Sequence, residues 1–268
     1  MVVLSQTIVY NNGMKNTKNN ELAVCGFAAV KTLEKNNWKR IKRLYFSEER
    51  SPLFGGLCKK LAADKRPYNQ VKDIIELEKL CGSVHHQGVV AMIEPPEILP
   101  VTTSLAAVWA ENKETAIILD RVGNANNLGA IVRSAAFFGI KNIIIPLDEA
   151  QASITTSSYR VAEGGMEFVN VYSIRSIPRL LHDMAGKMVR IGTSLDAKES
   201  TRNLKNICSN KGALIILGNE ENGISKEIKA ECDNLVLIPY GKGQTEGPLV
   251  DSLNVAQAAS VIMYELTA

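Results

Sequence analysis

The chain has 268 residues, with 31 Lys and Arg against 28 Asp and Glu, for a net charge of +3. Hydrophobic residues make up 46% and charged residues 22%, which excludes a disordered tail, a collagen-like repeat and a low-complexity chain. Apolar runs such as Ala116–Leu119 and Ile143–Leu147 fall far short of the ~20 residues of a membrane helix.

Met1–Gln6 has no basic start leading into a long apolar stretch, so no signal peptide is read. The cysteines (Cys25, Cys58, Cys81, Cys208, Cys232) are odd in number and form no CxxC pair. They read as reduced thiols packed as small hydrophobes in a cytoplasmic protein. With only three histidines, two of them adjacent (His85, His86), no metal site is expected.

The small net charge is unevenly spread. Residues 1–100 carry 15 basic and 10 acidic side chains, a net +5, and the remainder is net −2. Lys39, Arg40, Lys42 and Arg43 lie in the most basic stretch, Lys31–Arg66. They read either as a polyanion-binding surface or as the solvated face of a helix.

In chain order, residues 1–20 read as a mobile Asn/Lys-rich arm. Glu21–Asn36 reads as a helix, Ile41–Phe46 as a strand, Leu53–Ala63 and Val71–Leu80 as helices, and Gly88–Ile93 as a strand. Pro95, Pro96 and Pro100 bar both helix and strand and mark a boundary, so the first domain spans 21–97 and a linker 98–106. From 107 onward, apolar strands alternate with helices. The strands are Thr115–Leu119, Asn142–Ile145, Phe168–Val171, Met188–Ile191, Ala213–Leu217 and Leu235–Ile238. The helices are Asn127–Phe138, Gln151–Ala162, Ile177–Ala185, Lys226–Ala230 and Ser252–Leu266. Strands apolar throughout indicate an α/β domain with a parallel sheet covered on both faces.

Ligands of such sheets sit beyond the carboxyl ends of the strands. Three loops there stand out. Asp120–Ala135 passes through a Gly/Asn turn into a helix opening at Asn127, a residue that reads as its N-cap. Arg133 follows less than two turns later, able to project toward the same end. In Gly218-Asn219-Glu220-Glu221-Asn222-Gly223, glycines bracket a carboxylate, and Ser225 reads as the next helix's cap. The third loop leaves Ile238-Pro239, runs through a Gly-rich stretch and ends in Ser252-Leu253-Asn254, where Ser252 reads as a cap and Asn254 as first-turn residue. The turn pattern GxGxxG is absent, which disfavours a dinucleotide enzyme.

Taken in order, these loops resemble the three motifs of the SpoU (TrmH-like) family of RNA ribose 2′-O-methyltransferases. The first is matched by Asp120, Val122, Asn127, Gly129, Ala130, Ile131, Arg133, Ser134 and Ala135. Gly218, Glu220 and Gly223 match the second, and Ile238, Pro239 and Ser252–Val255 the third. His86–Ala91 resembles the end of the family's small ribosomal-protein-like RNA-binding domain.

The resemblance implies a deep trefoil knot in the C-terminal domain, S-adenosylmethionine as cofactor without a metal, a homodimer formed through the knot region, and an RNA substrate, rRNA ahead of tRNA. It implies catalytic roles for Arg133, Asn127, Glu220, Ser252 and Asn254. Asn127 and Glu220 would fix Arg133 and the loops. Thr193, Leu217, Gly218, Asn219, Gly223, Ile238, Pro239 and Leu253 would hold the cofactor. The family's Asp-Pro is replaced by Asn124-Ala125, and Lys242–Leu249 is extra. The alternative is a non-catalytic RNA-binding or ribosome-assembly factor that keeps the fold.

Overall fold

The computed structural model describes residues 20–241 and 250–267. The expected arm, Asn20 apart, and the Lys242–Leu249 insertion lie outside the described residues. The chain divides into two compact units: one runs to Pro95 and takes in Ser153–Arg160, and the other holds Pro96–Ala152 and Val161 onward.

The first unit contains β1 (Leu22–Cys25), α1 (Phe27–Asn37), β2 (Ile41–Phe46), α2 (Ser51–Ala63), β3 (Tyr68–Gln70), α3 (Ile75–Cys81) and β4 (Val89–Ile93). Its sheet runs β1-β4-β2-β3, with β4 antiparallel to both neighbours and β3 parallel to β2.

Two sequence expectations shift here. Leu22–Cys25 is a strand, not the start of a helix, because this wholly buried run pairs with Val90–Ile93. Gly26, at φ 99°, then turns the chain so that the helix begins at Phe27. Likewise Tyr68–Gln70 pairs with β2 and the Val71 N–H donates to the Phe46 carbonyl at 2.9 Å, so the next helix starts only at Ile75. Cys25 and Cys81 are free thiols buried together in this unit's core, as the composition suggests.

The second unit begins with α4 (Thr103–Glu111), β5 (Thr115–Asp120), α5 (Ala125–Phe138) and β6 (Asn142–Pro146). It continues with α6 (Thr156–Ala162), whose last residues alone belong to it, then β7 (Asn170–Ile174), α7 (Ile177–Asp183), β8 (Val189–Thr193), β9 (Glu199–Ser200) and α8 (Leu204–Cys208). β10 (Ala213–Gly218), α9 (Lys226–Glu231), β11 (Asn234–Leu237) and α10 (Val255–Thr267) complete it.

The sheet order is β7-β6-β5-β10-β8-β11-β9, parallel throughout, so the expected α/β architecture holds. One face buries Ile118, Ile144, Leu214 and Ile216 against Trp109 of α4 and Leu181 and Met184 around α7. α5 contributes buried Leu128, Ile131, Val132 and Ala135 and packs against α10, whose Val255, Ala259, Ile262 and Met263 are buried. Each buried Val, Leu, Ile or Met side chain among these stabilises the fold by about 1.5–3 kcal/mol.

The segment expected as a linker, 98–106, is built into this unit. Ser173 of β7 donates its N–H to the Leu99 carbonyl and accepts from the Val101 N–H, and Thr102 caps α4. Among the described residues no helix is long and apolar enough to cross a membrane.

His86 of the first unit is 3% exposed, and its Nδ1 accepts the Gly88 N–H at 3.1 Å. Burial pushes its pKa below the ordinary value, against the pull of Glu78. The neutral form is favoured by folding, so its contribution is present above the unfolded pKa of about 6.5 and is lost as pH falls below it. Thermal melting between pH 7 and 5 is expected to fall more steeply for the wild type than for His86→Gln; parallel curves would contradict this.

Candidate functional site

β5 ends in Asp120, 5% exposed, whose carboxylate accepts from Arg121 Nε and Nη2 at 3.0 Å each and from the Ser225 N–H at 3.1 Å. Hydrogen bonding to Asp120 pushes the Arg121 pKa further up. This joins the end of β5 to the start of α9, which Ser225 caps as expected.

The Gln151 amide then pairs with both backbone groups of Val122, at 2.9 and 3.0 Å. A Cβ on Gly123 would lie 2.9 Å from the Ala150 carbonyl, so the turn closes only over glycine. Asn124 caps α5 by accepting the Asn126 N–H at 2.8 Å. The Asn124-Ala125 replacement therefore leaves the helix start ordered, because asparagine supplies the capping oxygen.

The cap is thus Asn124 and not Asn127. Asn127 lies within the first turn of α5, which frees its side chain. Its Nδ2 donates to Glu220 Oε1 at 2.5 Å, and its Oδ1 accepts from Asn254 Nδ2 at 3.2 Å. Asn254 is itself the cap of α10: its Oδ1 accepts the Ala256 N–H and its carbonyl the Ala258 N–H, both at 2.9 Å. This displaces Ser252, the expected cap, which lies ahead of the helix and lines the cleft described below.

The β10 turn depends on its glycines. A Cβ on Gly218 would lie 2.2 Å from the Gly223 carbonyl carbon and 2.4 Å from the Ile224 nitrogen. Gly223 takes φ 63°, and its N–H donates to the Asn219 carbonyl at 2.8 Å. The Asn219 Oδ1 accepts from the N–H groups of Glu221 and Asn222, and its Nδ2 donates to the Arg121 carbonyl.

Beside this turn lies a cleft of about 470 Å³. It is lined by every residue assigned to cofactor binding (Thr193, Leu217, Gly218, Asn219, Gly223, Ile238, Pro239 and Leu253) and also by Glu220 and Ser252. Ser194, Leu195, Asp196 and Lys229 line it too and were missed. The first three follow β8 at the same carboxyl edge as the three motif loops, which was the signal available for them.

Arg133 does not join the amide network. Six residues at 100° each carry it about 240° around the helix from Asn127. It is exposed, and its Nη2 lies 2.9 Å from Glu163 Oε2. The expected fixing of Arg133 by Asn127 and Glu220 is therefore corrected: those two residues join the loops to each other.

The SpoU rRNA methylase family model matches residues 114–264, and a model described as RNA 2′-O ribose methyltransferase substrate binding matches residues 23–99. The chain belongs to the SpoU rRNA methylase family. It is 34% identical over 191 residues to the 23S rRNA (guanosine-2′-O-)-methyltransferase RlmB of Acinetobacter baylyi, covering 70% of this chain and 73% of that one. It is 30% identical to an uncharacterized tRNA/rRNA methyltransferase of Mycobacterium avium, of which the match spans 59%. Two solved structures share the fold. The SpoU methyltransferase AviRb of Streptomyces viridochromogenes, in complex with AdoMet, aligns with a TM-score of 0.70 at 22% identity over 96% of this chain and 93% of that one. An AdoMet-bound rRNA methyltransferase of Sinorhizobium meliloti aligns with a TM-score of 0.71 at 20% identity over 93% and 88%.

In this SpoU chain the basic candidates of the first unit divide. Lys39 and Lys42 are exposed, with Lys42 Nζ 3.0 Å from Glu94. Arg43 pairs with Glu21 and donates to the Tyr45 hydroxyl, and Arg40 donates to the Tyr159 hydroxyl at 2.9 Å. The two arginines are therefore engaged within their own unit.

Gly218→Ala is expected to lower stability by roughly 1–3 kcal/mol, because the turn must open. Gly241→Ala, whose Cβ meets no described residue within 4 Å, stays within about 0.5 kcal/mol of wild type. Denaturant melts of the two variants check this; equal midpoints would contradict it.

Proposed function

We propose that this SpoU methylase transfers a methyl group from S-adenosylmethionine to a ribose 2′-hydroxyl of rRNA. The observation that carries the reading is the meeting of two groups of motif residues. The Asn127–Glu220–Asn254 network adjoins a cleft lined by the motif residues assigned to the cofactor.

The residues present fit the cofactor. At about 470 Å³ the cleft falls in the range of small-molecule sites, and Leu217, Ile238 and Leu253 give it apolar walls. Lys229, Asp196 and Glu220 supply charge along its lining. When bound, S-adenosylmethionine supplies an electrophilic methyl group on a sulfonium sulfur.

This chain's residues then have to align a ribose hydroxyl and stabilise the charge left as its proton departs. A guanidinium offers five N–H donors and no acceptor, so the role read for Arg133 is not that of a simple base. Arg133 binds the substrate phosphate and stabilises the developing alkoxide. Ser252 and Asn254 orient cofactor and ribose. Asn127 and Glu220 keep the loops that carry them in register.

The first unit delivers RNA through exposed cations, Lys39 and Lys42 among them. The family match over residues 23–99 supports this role, and the 23S rRNA activity named for the Acinetobacter relative weighs toward rRNA. A cytoplasmic setting fits such a substrate.

The same reading includes a homodimer and a knotted C-terminal segment. Phe137 is 82% exposed and stacks edge-on with Phe138, which in turn meets Tyr264 of α10. An aromatic face of this kind suits a second copy. For the knot, the support is the gathering of the segments that follow β8, β10 and β11 around one cleft.

The non-catalytic assembly factor has one observation in its favour, the pairing of Arg133 with Glu163 away from the amide network.

Calorimetry with S-adenosylmethionine separates the two readings. Saturable binding is expected, and no binding at millimolar cofactor would favour the assembly factor. Arg133→Ala should retain cofactor binding and lose about 10²-fold or more in methyl transfer. Lys39→Glu with Lys42→Glu should weaken RNA binding and flatten its salt dependence while sparing cofactor affinity. Full activity in the first variant, or unchanged RNA affinity in the second, would contradict the assigned roles.

A further inference from the structure

Arg133 reaches solvent on one face of α5, and among the described residues Glu163 is the partner of its guanidinium, with Nη2 2.9 Å from Oε2. Two features show that this pairing is built into the chain. Glu163 adopts φ 46°, and Gly164 follows at φ 96°, so a non-glycine residue is held in the left-handed region at the start of the turn. The next residue, Gly165, packs directly on the helix. A Cβ there would lie 3.2 Å from the Arg133 Cα and 3.2 Å from the Val132 carbonyl. The turn is thus pressed against α5 at the residue whose side chain Glu163 holds.

An ion pair with side chains 58% and 47% exposed adds little to stability, and the left-handed Glu163 that follows α6 is accounted for by the helix end itself. What the pair does supply is orientation. A free arginine side chain samples many rotamers, and fixing it ahead of substrate arrival removes that entropy from the reaction. One carboxylate oxygen lies beside Nη2 as an ion pair, which leaves the rest of the guanidinium fork for a phosphate.

The geometry points to Glu163 as a positioning residue for the methyl transfer, holding the Arg133 guanidinium in the orientation that receives the substrate phosphate and the developing alkoxide. This rests on the role given to Arg133 above. Glu163 touches neither cofactor nor RNA in this scheme and works through Arg133 alone. Ala and Gln meet the left-handed backbone at 163 with a cost close to that of Glu, so these two substitutions change the carboxylate and leave the turn conformation in place.

The test is steady-state methyl transfer to the RNA substrate by Glu163→Ala and Glu163→Gln, alongside cofactor calorimetry and thermal melting. Glu163→Ala is expected to lower kcat about tenfold, with a smaller change in KM for RNA and no change in cofactor affinity or melting. Glu163→Gln, which removes the charge of the ion pair at nearly constant shape, is expected to share most of that loss. In an Arg133→Ala background, read by single-turnover transfer, removing Glu163 is expected to cost nothing further. An unchanged or raised kcat in Glu163→Ala, or the same loss with Arg133 already removed, would overturn the proposal. Full activity of Arg133→Ala alone would instead overturn the role of Arg133, so the two failures are distinct.

Discussion

The Asn127 amide joins three segments that the chain brings from far apart. One end donates to Glu220 in the turn after β10, and the other accepts from Asn254 at the start of α10. Asparagine is suited to this position because it carries a donor and an acceptor a fixed distance apart. Aspartate would set a second carboxylate against Glu220, and a shorter side chain would leave both partners without it. Asn127 is free to do this because Asn124 takes over the capping of α5.

From that junction the rest of the site follows. The parallel sheet delivers the loops after β5, β8, β10 and β11 to one edge, and neighbouring loops there are fastened by side chains spent on backbone. Asp120 accepts from Arg121 and Ser225, Thr193 donates its hydroxyl to the Ile216 carbonyl, and Asn219 satisfies three backbone groups of the turns around it. These groups hold the shape of the cleft and do not supply reactive functions. Glu220 and Ser252, both on the cleft lining, are left exposed. Rigid supports beneath a few exposed polar groups are what a pre-organised site requires.

Much of this was legible from residue order. The strands of the second unit are apolar on both faces, so Thr115–Asp120 and Ala213–Gly218 stand out in the pattern almost residue for residue. The loop motifs named the cleft lining because glycine and proline mark backbone geometry directly: Gly218 and Gly223 are needed by contact and by φ.

What escaped depends on tertiary choice. Leu22–Cys25 has the apolar content of a helix turn and became a strand because β4 offered it a partner. The short β9 and α8 carry too few residues to show a period. Which of two nearby asparagines caps α5 was decided by the Glu220 and Asn254 partners, which lie roughly a hundred residues downstream. Arg40 and Arg43 looked like surface charge until Tyr159 and Glu21 were seen to hold them.

The most direct measurement is a transcriptome-wide map of ribose 2′-O-methylation in cells with and without this chain. A methylated nucleotide in rRNA should disappear when the chain is absent, return with the wild-type protein, and fail to return with Arg133→Ala. An identical methylation map in both cells, with the protein expressed, would contradict the assignment of methyl transfer to this site.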